Sequence, residues 1–248
     1  MVKGLDTFQK YFADYEEQYV LIGGAACDIL FESNEVNFRA TRDLDMVLIV
    51  EALTPEFGEK FWKFIVDGKY RNKATNGSNP QFYRFDKPED DNFPKMIELF
   101  CRSDFKLKDA KGITPIHIDD EVSSLSAILL NDDYYKALLN GKEVRKGLSV
   151  LRPEYIILFK AKAYLDLKRQ KELGEKVDSS DIKKHKKDVL RIASELMLEK
   201  VEELPIAVDA DIHSFIDLLE QEPFDQNSLK RFGLKNEDVV EVLKQVFG

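Results

Sequence analysis

The chain has 248 residues, of which 44% are hydrophobic and 33% charged, and its formal net charge is −9. This is an ordinary globular composition, long enough for one large or two small cores, and its acidic balance argues against indiscriminate nucleic-acid binding. No apolar run approaches the roughly 20 residues of a membrane helix. No basic-then-apolar secretory pattern opens the chain, and its two cysteines, Cys27 and Cys101, lie in apolar segments, so a cytoplasmic site is the default expectation.

In chain order, Tyr19-Val-Leu-Ile22 reads as a short buried strand, Gly23-Gly24 as a tight turn, and Ala25 as the opening of a helix. A second strand follows in Arg39-Ala-Thr-Arg-Asp43-Leu-Asp45, whose apolar continuation from Met46 to Val50 needs burial. Strand alternation puts Asp43 and Asp45 on one face and Leu44 on the other. Two carboxylates on one face repel each other unless a cation or solvent sits between them. A glycine turn at a helix start offers backbone N–H groups to a phosphate. Together these features point to nucleotide chemistry. Arg39 and Arg42, beside the acid pair, either neutralise it or touch phosphate, and Thr41 is either a hydrogen-bond donor behind it or a plain strand residue.

A helix is expected after Thr54-Pro55, with Thr54 as cap and Phe57, Phe61, Phe64 and Ile65 facing inward. Asn76 to Pro80 reads as a turn or loop, and Gln81 to Asp86 as the partner of Met96 to Phe100 in a hairpin. Glu98 shares its strand face with Met96 and Phe100, where a lone acid is costly unless it is ion-paired or bound to metal. Asp86 and Asp104 are its competitors as a third acid. Between Asp104 and Gly147 only a helix near Ser123–Leu130 is assigned, and Gly147–Leu151 reads as the last strand. Helices then span Pro153 to Lys171, Asp178 to Leu198, Asp209 to Leu219 and Asn236 to Phe247. The resulting expectation is an α/β (α+β) catalytic domain with a mixed sheet over 1–151, and a helical C-terminal domain over 152–248.

On the helix after the sheet, Lys160 shares a face with Ile156, Ile157, Tyr164 and Leu167, so it is either a charge aimed into a cleft or a snorkelling lysine. Lys162 sits one turn before Asp166, the spacing of a surface ion pair. Basic residues outnumber acids from Lys168 to Lys187, which reads as a solvated face or a phosphate contact. His117, His185 and His213 are scattered without zinc spacing, no Ser-His-Asp or Cys-His system can be argued, and Gly23-Gly24 lacks the Gly-Lys-Ser/Thr of a P-loop.

Gly23-Gly24, an intervening helix and Arg42-Asp43-Leu44-Asp45 running into an apolar strand resemble the signature of the polymerase-β-type nucleotidyltransferases. Within that superfamily the chain is most similar to the AbiEii-type nucleotidyltransferase toxins, over roughly residues 15 to 195. The resemblance implies transfer of a nucleoside monophosphate from a nucleoside triphosphate, with two Mg²⁺ ions held by Asp43, Asp45 and Glu98. It implies further that Gly23, Gly24 and Arg42 bind the triphosphate, that Lys160 offsets its charge, and that Asp188 matches the Lys/Arg-Asp pair of the helical domain. By the spacing of its neighbours, Asp188 shares a face with Asp181, Lys184, Arg191 and Glu195, which is simply polar. RNA or a tRNA end as acceptor, and an antitoxin partner, are implied by the resemblance alone. The alternative is a non-catalytic nucleotide-binding or interaction module of the same fold.

Overall fold

The computed structural model describes residues 3–32, 43–71, 82–101, 128–129 and 131–248. The chain divides into two compact units, Met1–Asp119 with Lys142–Leu151, and Asp120–Gly141 with Arg152–Gly248.

The first unit is built on a six-stranded mixed sheet in the order β3-β4-β2-β1-β6-β5, formed by β1 (Tyr19–Ile22), β2 (Asp43–Leu48), β3 (Phe82–Asp86), β4 (Met96–Cys101), β5 (Lys142–Arg145) and β6 (Leu148–Leu151). β2 runs parallel to β4 and β1 parallel to β6, whereas β1–β2, β3–β4 and β5–β6 are antiparallel. The all-buried run of β1, Tyr-Val-Leu-Ile, suits a central strand covered on both sides. At the edge, β5 is a charged Lys-Glu-Val-Arg strand, a composition that discourages pairing with other chains.

Among the described residues, helices α1 (Leu5–Phe12), α2 (Gly23–Glu32) and α3 (Pro55–Asp67) also belong to this unit. Leu5, Phe8 and Phe12 fall at helical spacing and are buried. They meet Phe57, Phe61 and Phe64 of α3 in an aromatic core, with Phe8 edge-on to Phe64 at 5.7 Å and Phe12 5.6 Å from Phe57. Thr54 caps α3 by accepting from Phe57 N at 3.3 Å, and Pro55 occupies the first turn where no donor is needed.

The second unit is helical: α4 (Asp132–Asn140), α5 (Pro153–Glu172), α6 (Ser179–Glu195), α7 (Ile206–Gln221), α8 (Gln226–Phe232) and α9 (Asn236–Phe247). Asn131 caps α4, Asp178 caps α6 and Asp225 caps α8, each through its side-chain oxygen. Among the described residues no helix is long and apolar enough to cross a membrane.

Five elements differ from the sequence reading. Helix α2 opens at Gly23 rather than Ala25. Helix α1 was not anticipated. Neither were α4 and β5, because α4 is only 9 residues long and an edge strand of charged residues shows no alternation to read. Helix α8 was missed as well, since it buries only Leu229. Of the helix expected near Ser123–Leu130, Ile128 and Leu129 are helical and buried, and the remainder lies outside the described residues.

Candidate functional site

The acidic pair and the glycine turn meet across one ladder. Ile22, the last residue of β1, pairs with Asp45 on β2. The next residue, Gly23, turns the chain into α2 with φ of +61°, a conformation that favours glycine. A Cβ placed on Gly23 would lie 2.3 Å from Asp45 Oδ2. A side chain is therefore excluded twice at this position, by backbone conformation and by contact with the carboxylate.

Across the other edge of β2, the parallel ladder sets Asp43 beside Met96 and Asp45 beside Glu98. Leu44 is fully buried on the opposite face, so Asp43, Asp45 and Glu98 share one face, as their spacing implied. One strand further out, Arg84 on β3 pairs with Glu98. Its Nε donates to Glu98 Oε1 at 2.8 Å, and Nη2 donates to the same oxygen. Arg84, Glu98 and Asp45 thus form a row across three adjacent strands. Asp86 lies on the same face but in the neighbouring row, separated from Asp43 by Met96.

Glu98 is 8% exposed. Burial pushes its carboxyl above the ordinary glutamate range, against the charge and hydrogen bonds of Arg84 and a hydrogen bond with Asp45; the nearby charge of Asp43 pushes the same way as burial. Two carboxyl groups within hydrogen-bonding reach require a proton or a cation between them. Arg84 is the residue whose role the sequence did not show. The signal was available: a buried acid on an apolar face demands a counter-charge, and Arg84 is the cation at the middle of the partner hairpin strand.

The helical unit places Lys160 and Asp188 together. Lys160 Nζ lies 3.0 Å from Asp188 Oδ2, and both side chains are largely withdrawn from water. Asp188 is therefore not on a simply polar face: α6 turns it inward with Val189 and Leu190, against α5. Lys162 pairs with Asp166 at 3.1 Å as its spacing implied, but also with Asp211 of α7 at 3.2 Å, so it is not a plain surface lysine. Arg39, Thr41, Arg42 and Asp104 lie outside the described residues.

Three carboxylates are hard oxygen donors of the kind Mg²⁺ takes. Among the described residues, however, no group of three or more acid, His or Cys side chains is arranged to hold a metal ion, and Glu98 Oε1 already receives two N–H groups of Arg84. Asp43 and Asp45, two residues apart on one face, are the pair whose chemistry fits a divalent cation. Glu98 stands next to them, with one oxygen engaged by a guanidinium.

No family model and no curated protein matches this chain. Among solved structures, the crystal structure of an antigenic nucleotidyltransferase-like protein from Paracoccidioides brasiliensis is similar to it at 16% identity and a TM-score of 0.46, covering 97% of this chain and 93% of that one. The assignment of the site rests on its own residues.

Proposed function

We propose that the first unit is a magnesium-dependent nucleotidyltransferase that moves a nucleoside monophosphate from a nucleoside triphosphate to an acceptor. The observation that carries this reading is the contact between the glycine turn and Asp45: the element suited to a phosphate and the first carboxylate of the acidic row occupy one spot. Asp43 and Asp45 would hold the cations, and the backbone N–H groups at the start of α2 would face the triphosphate. Bound Mg²⁺ would supply charge neutralisation on the departing pyrophosphate and a more acidic acceptor hydroxyl. The acceptor oxygen bonds to the α-phosphorus, the bond to the pyrophosphate oxygen breaks, and the hydroxyl proton leaves to solvent. From the resemblance noted above, RNA or a tRNA end is the acceptor proposed, and a toxin role with an antitoxin partner belongs to the same proposal. This chemistry draws on residues of the sheet.

The deciding experiment is incubation with each labelled nucleoside triphosphate, Mg²⁺ and total cellular RNA or lysate, with the Asp43→Asn, Asp45→Asn double variant as control. Label appearing on RNA with the natural chain and not with the variant is the expected result. A second reading, a nucleotide-binding module without turnover, is favoured by one observation, the engagement of Glu98 by Arg84. Mg²⁺-dependent thermal stabilisation by a triphosphate without pyrophosphate release would establish that reading instead.

A further inference from the structure

The basic stretch from Lys168 to Lys187 has no part in the chemistry of the sheet, and it borders a cavity of its own. Helices α5 and α6 and the turn from Glu222 to Phe224, which joins α7 to α8, line a space of about 610 Å³ within the helical unit. That volume suits a small-molecule site. Tyr164, Ile182, Leu190 and Phe224 give it an apolar wall, and Lys168, Lys183, Lys186 and Lys187 bring four ammonium groups. The same lining holds two acids, Glu222 and Asp225, and both are engaged by the protein itself. Lys168 and Tyr164 donate to the Glu222 carboxylate, and Asp225 accepts from Ser228 N at 2.9 Å as the cap of α8. In a chain of net charge −9, the cavity is a local excess of cations.

Lys186 is the innermost of these charges. Its ammonium lies 5.7 Å from the ring centre of Tyr164 and 5.5 Å from that of Phe224. It donates to the backbone carbonyls of Glu222 and Pro223, which leaves one of its three N–H groups for a further acceptor. These partners are neutral. Burial pulls the Lys186 pKa below the ordinary lysine value, with the charge of Glu222 opposing and that of Lys168 adding. An anion entering beside it would favour the charged form. Lys183 and Lys187 are exposed and lie one turn apart on α6, where like charges repel; Lys187 also acts on Asp225 by charge. An anion between the two lysines would relieve that repulsion.

We infer that this cavity binds a phosphate monoester with a ring-bearing body, the chemistry of a nucleotide. The phosphate meets Lys183, Lys186 and Lys187, and the body packs against Ile182, Leu190 and Phe224. A single carboxylate would leave most of this charge unanswered, whereas a phosphate brings nearly two charges and three acceptor oxygens. A free nucleotide and the 5′-phosphate end of an RNA strand offer the same group. The inference needs no divalent cation and does not rest on the transfer reaction proposed above.

The test is calorimetry in EDTA on the full-length natural chain and on its Asp43→Asn, Asp45→Asn variant. The probes are adenosine and uridine monophosphates, their nucleosides, inorganic phosphate, and a short single-stranded RNA with or without a 5′-phosphate. A nucleoside monophosphate is expected to bind both chains, about tenfold or more tighter than its nucleoside or inorganic phosphate. Lys183→Glu with Lys187→Glu should weaken that binding about tenfold or more. Lys136→Glu with Lys200→Glu makes the same change of charge on exposed residues outside the cavity and should leave it unchanged. Lys186→Met, where it folds, should weaken binding as well. Tighter binding of the phosphorylated RNA than of the free nucleotide assigns the cavity to a strand end, and the reverse assigns it to the free nucleotide. Absence of nucleotide binding overturns the inference, as does binding that inorganic phosphate matches. So does an equal loss in the two double-lysine variants, which is a general charge effect. Binding lost with Asp43→Asn, Asp45→Asn belongs to the acid row and overturns it too. Each of these failures leaves the Mg²⁺-dependent transfer to be decided by its own assay.

Discussion

Lys160 and Asp188, 28 residues apart in sequence, form an ion pair at 3.0 Å with side chains only 12% and 8% exposed. Ile156, Ile157, Tyr164 and Leu167 line the same side of α5 and are buried too. The lysine on an apolar stripe thus has a carboxylate partner inside the helical unit. A buried pair of this kind is held together against a large desolvation cost.

Breaking that pair from one side should be expensive. Lys160→Ala is expected to lower stability by about 3–5 kcal/mol, because it breaks a buried ion pair from one side. The double change Lys160→Met, Asp188→Leu should recover most of the loss by replacing the pair with apolar volume. Urea unfolding of the three chains decides the matter. A loss below about 1 kcal/mol in Lys160→Ala would mean that the pair behaves as an exposed one.

Gly23→Ala should disable the site without unfolding the unit. The added methyl would sit 2.3 Å from Asp45 Oδ2 at a φ of +61°, so either the carboxylate or the turn must shift. The expected cost is about 1–2 kcal/mol in stability, with nucleotide-dependent stabilisation lost. Gly58→Ala is the internal control: it lies within α3, a Cβ there meets nothing within 4 Å, and removing a helical glycine should stabilise by about 0.5–1 kcal/mol. Thermal melts with and without Mg²⁺ and a nucleoside triphosphate read out both. Equal nucleotide-dependent shifts for the natural chain and Gly23→Ala would separate the turn from the site.

Asp43→Asn and Asp45→Asn are each expected to abolish transfer while leaving the melting temperature unchanged or slightly raised, since either change relieves repulsion among acids on one face. Glu98→Gln should lower turnover by roughly 10²–10⁴-fold, with nucleotide binding affected much less because Asp43 and Asp45 remain. Pyrophosphate release and nucleotide titration are the measurements. Normal turnover by Glu98→Gln alongside an inactive Asp86→Asn would move the third acid one row over, to the strand position beside Met96.

The legible parts of this molecule are those where one residue's need is local. The buried run of β1, the Thr54 cap and the inward Phe57, Phe61, Phe64 and Ile65 of α3 could be read because periodicity and capping act within a few residues. The alternation of Asp43, Leu44 and Asp45 was legible for the same reason. What the sequence did not show depends on pairing between distant segments. Arg84 meets Glu98 only through the β3–β4 register, and Asp188 meets Lys160 only through the packing of α6 on α5. Asp188 falls among Lys184, Lys187 and Arg191, so its polar neighbours conceal that its own side chain turns inward. Short elements such as α4, α8 and β5 carry too few apolar positions to show a period. Their caps, Asn131 for α4 and Asp225 for α8, were the readable signals.

The network around Lys162 makes a pH-dependent prediction. Its ammonium lies 3.1 Å from Asp166 and 3.2 Å from Asp211, over the ring of Tyr134, whose hydroxyl donates to Asp211 at 2.9 Å. Partial burial pulls the Lys162 pKa down, but the hydrogen bonds and charges of Asp166 and Asp211 outweigh it and hold the group above the ordinary value of 10.5. A lysine whose pKa is raised by folding contributes stability that is fully present below the unfolded value and is lost as pH rises through the folded value. Lys162→Met should therefore cost on the order of 1 kcal/mol at pH 8, because it removes the ammonium that Asp166 and Asp211 share. The gap in urea midpoint between natural chain and variant should then narrow as pH climbs above about 10.5, because the natural lysine gives up its proton and the variant has none to lose. Comparing the two chains across pH 8 to 11.5 cancels the titration of Tyr134 and the other tyrosines to first order. A gap that stays constant over that window would show that Lys162 stabilises the helical unit through its aliphatic stem, and that Asp166 and Asp211 are satisfied without its charge.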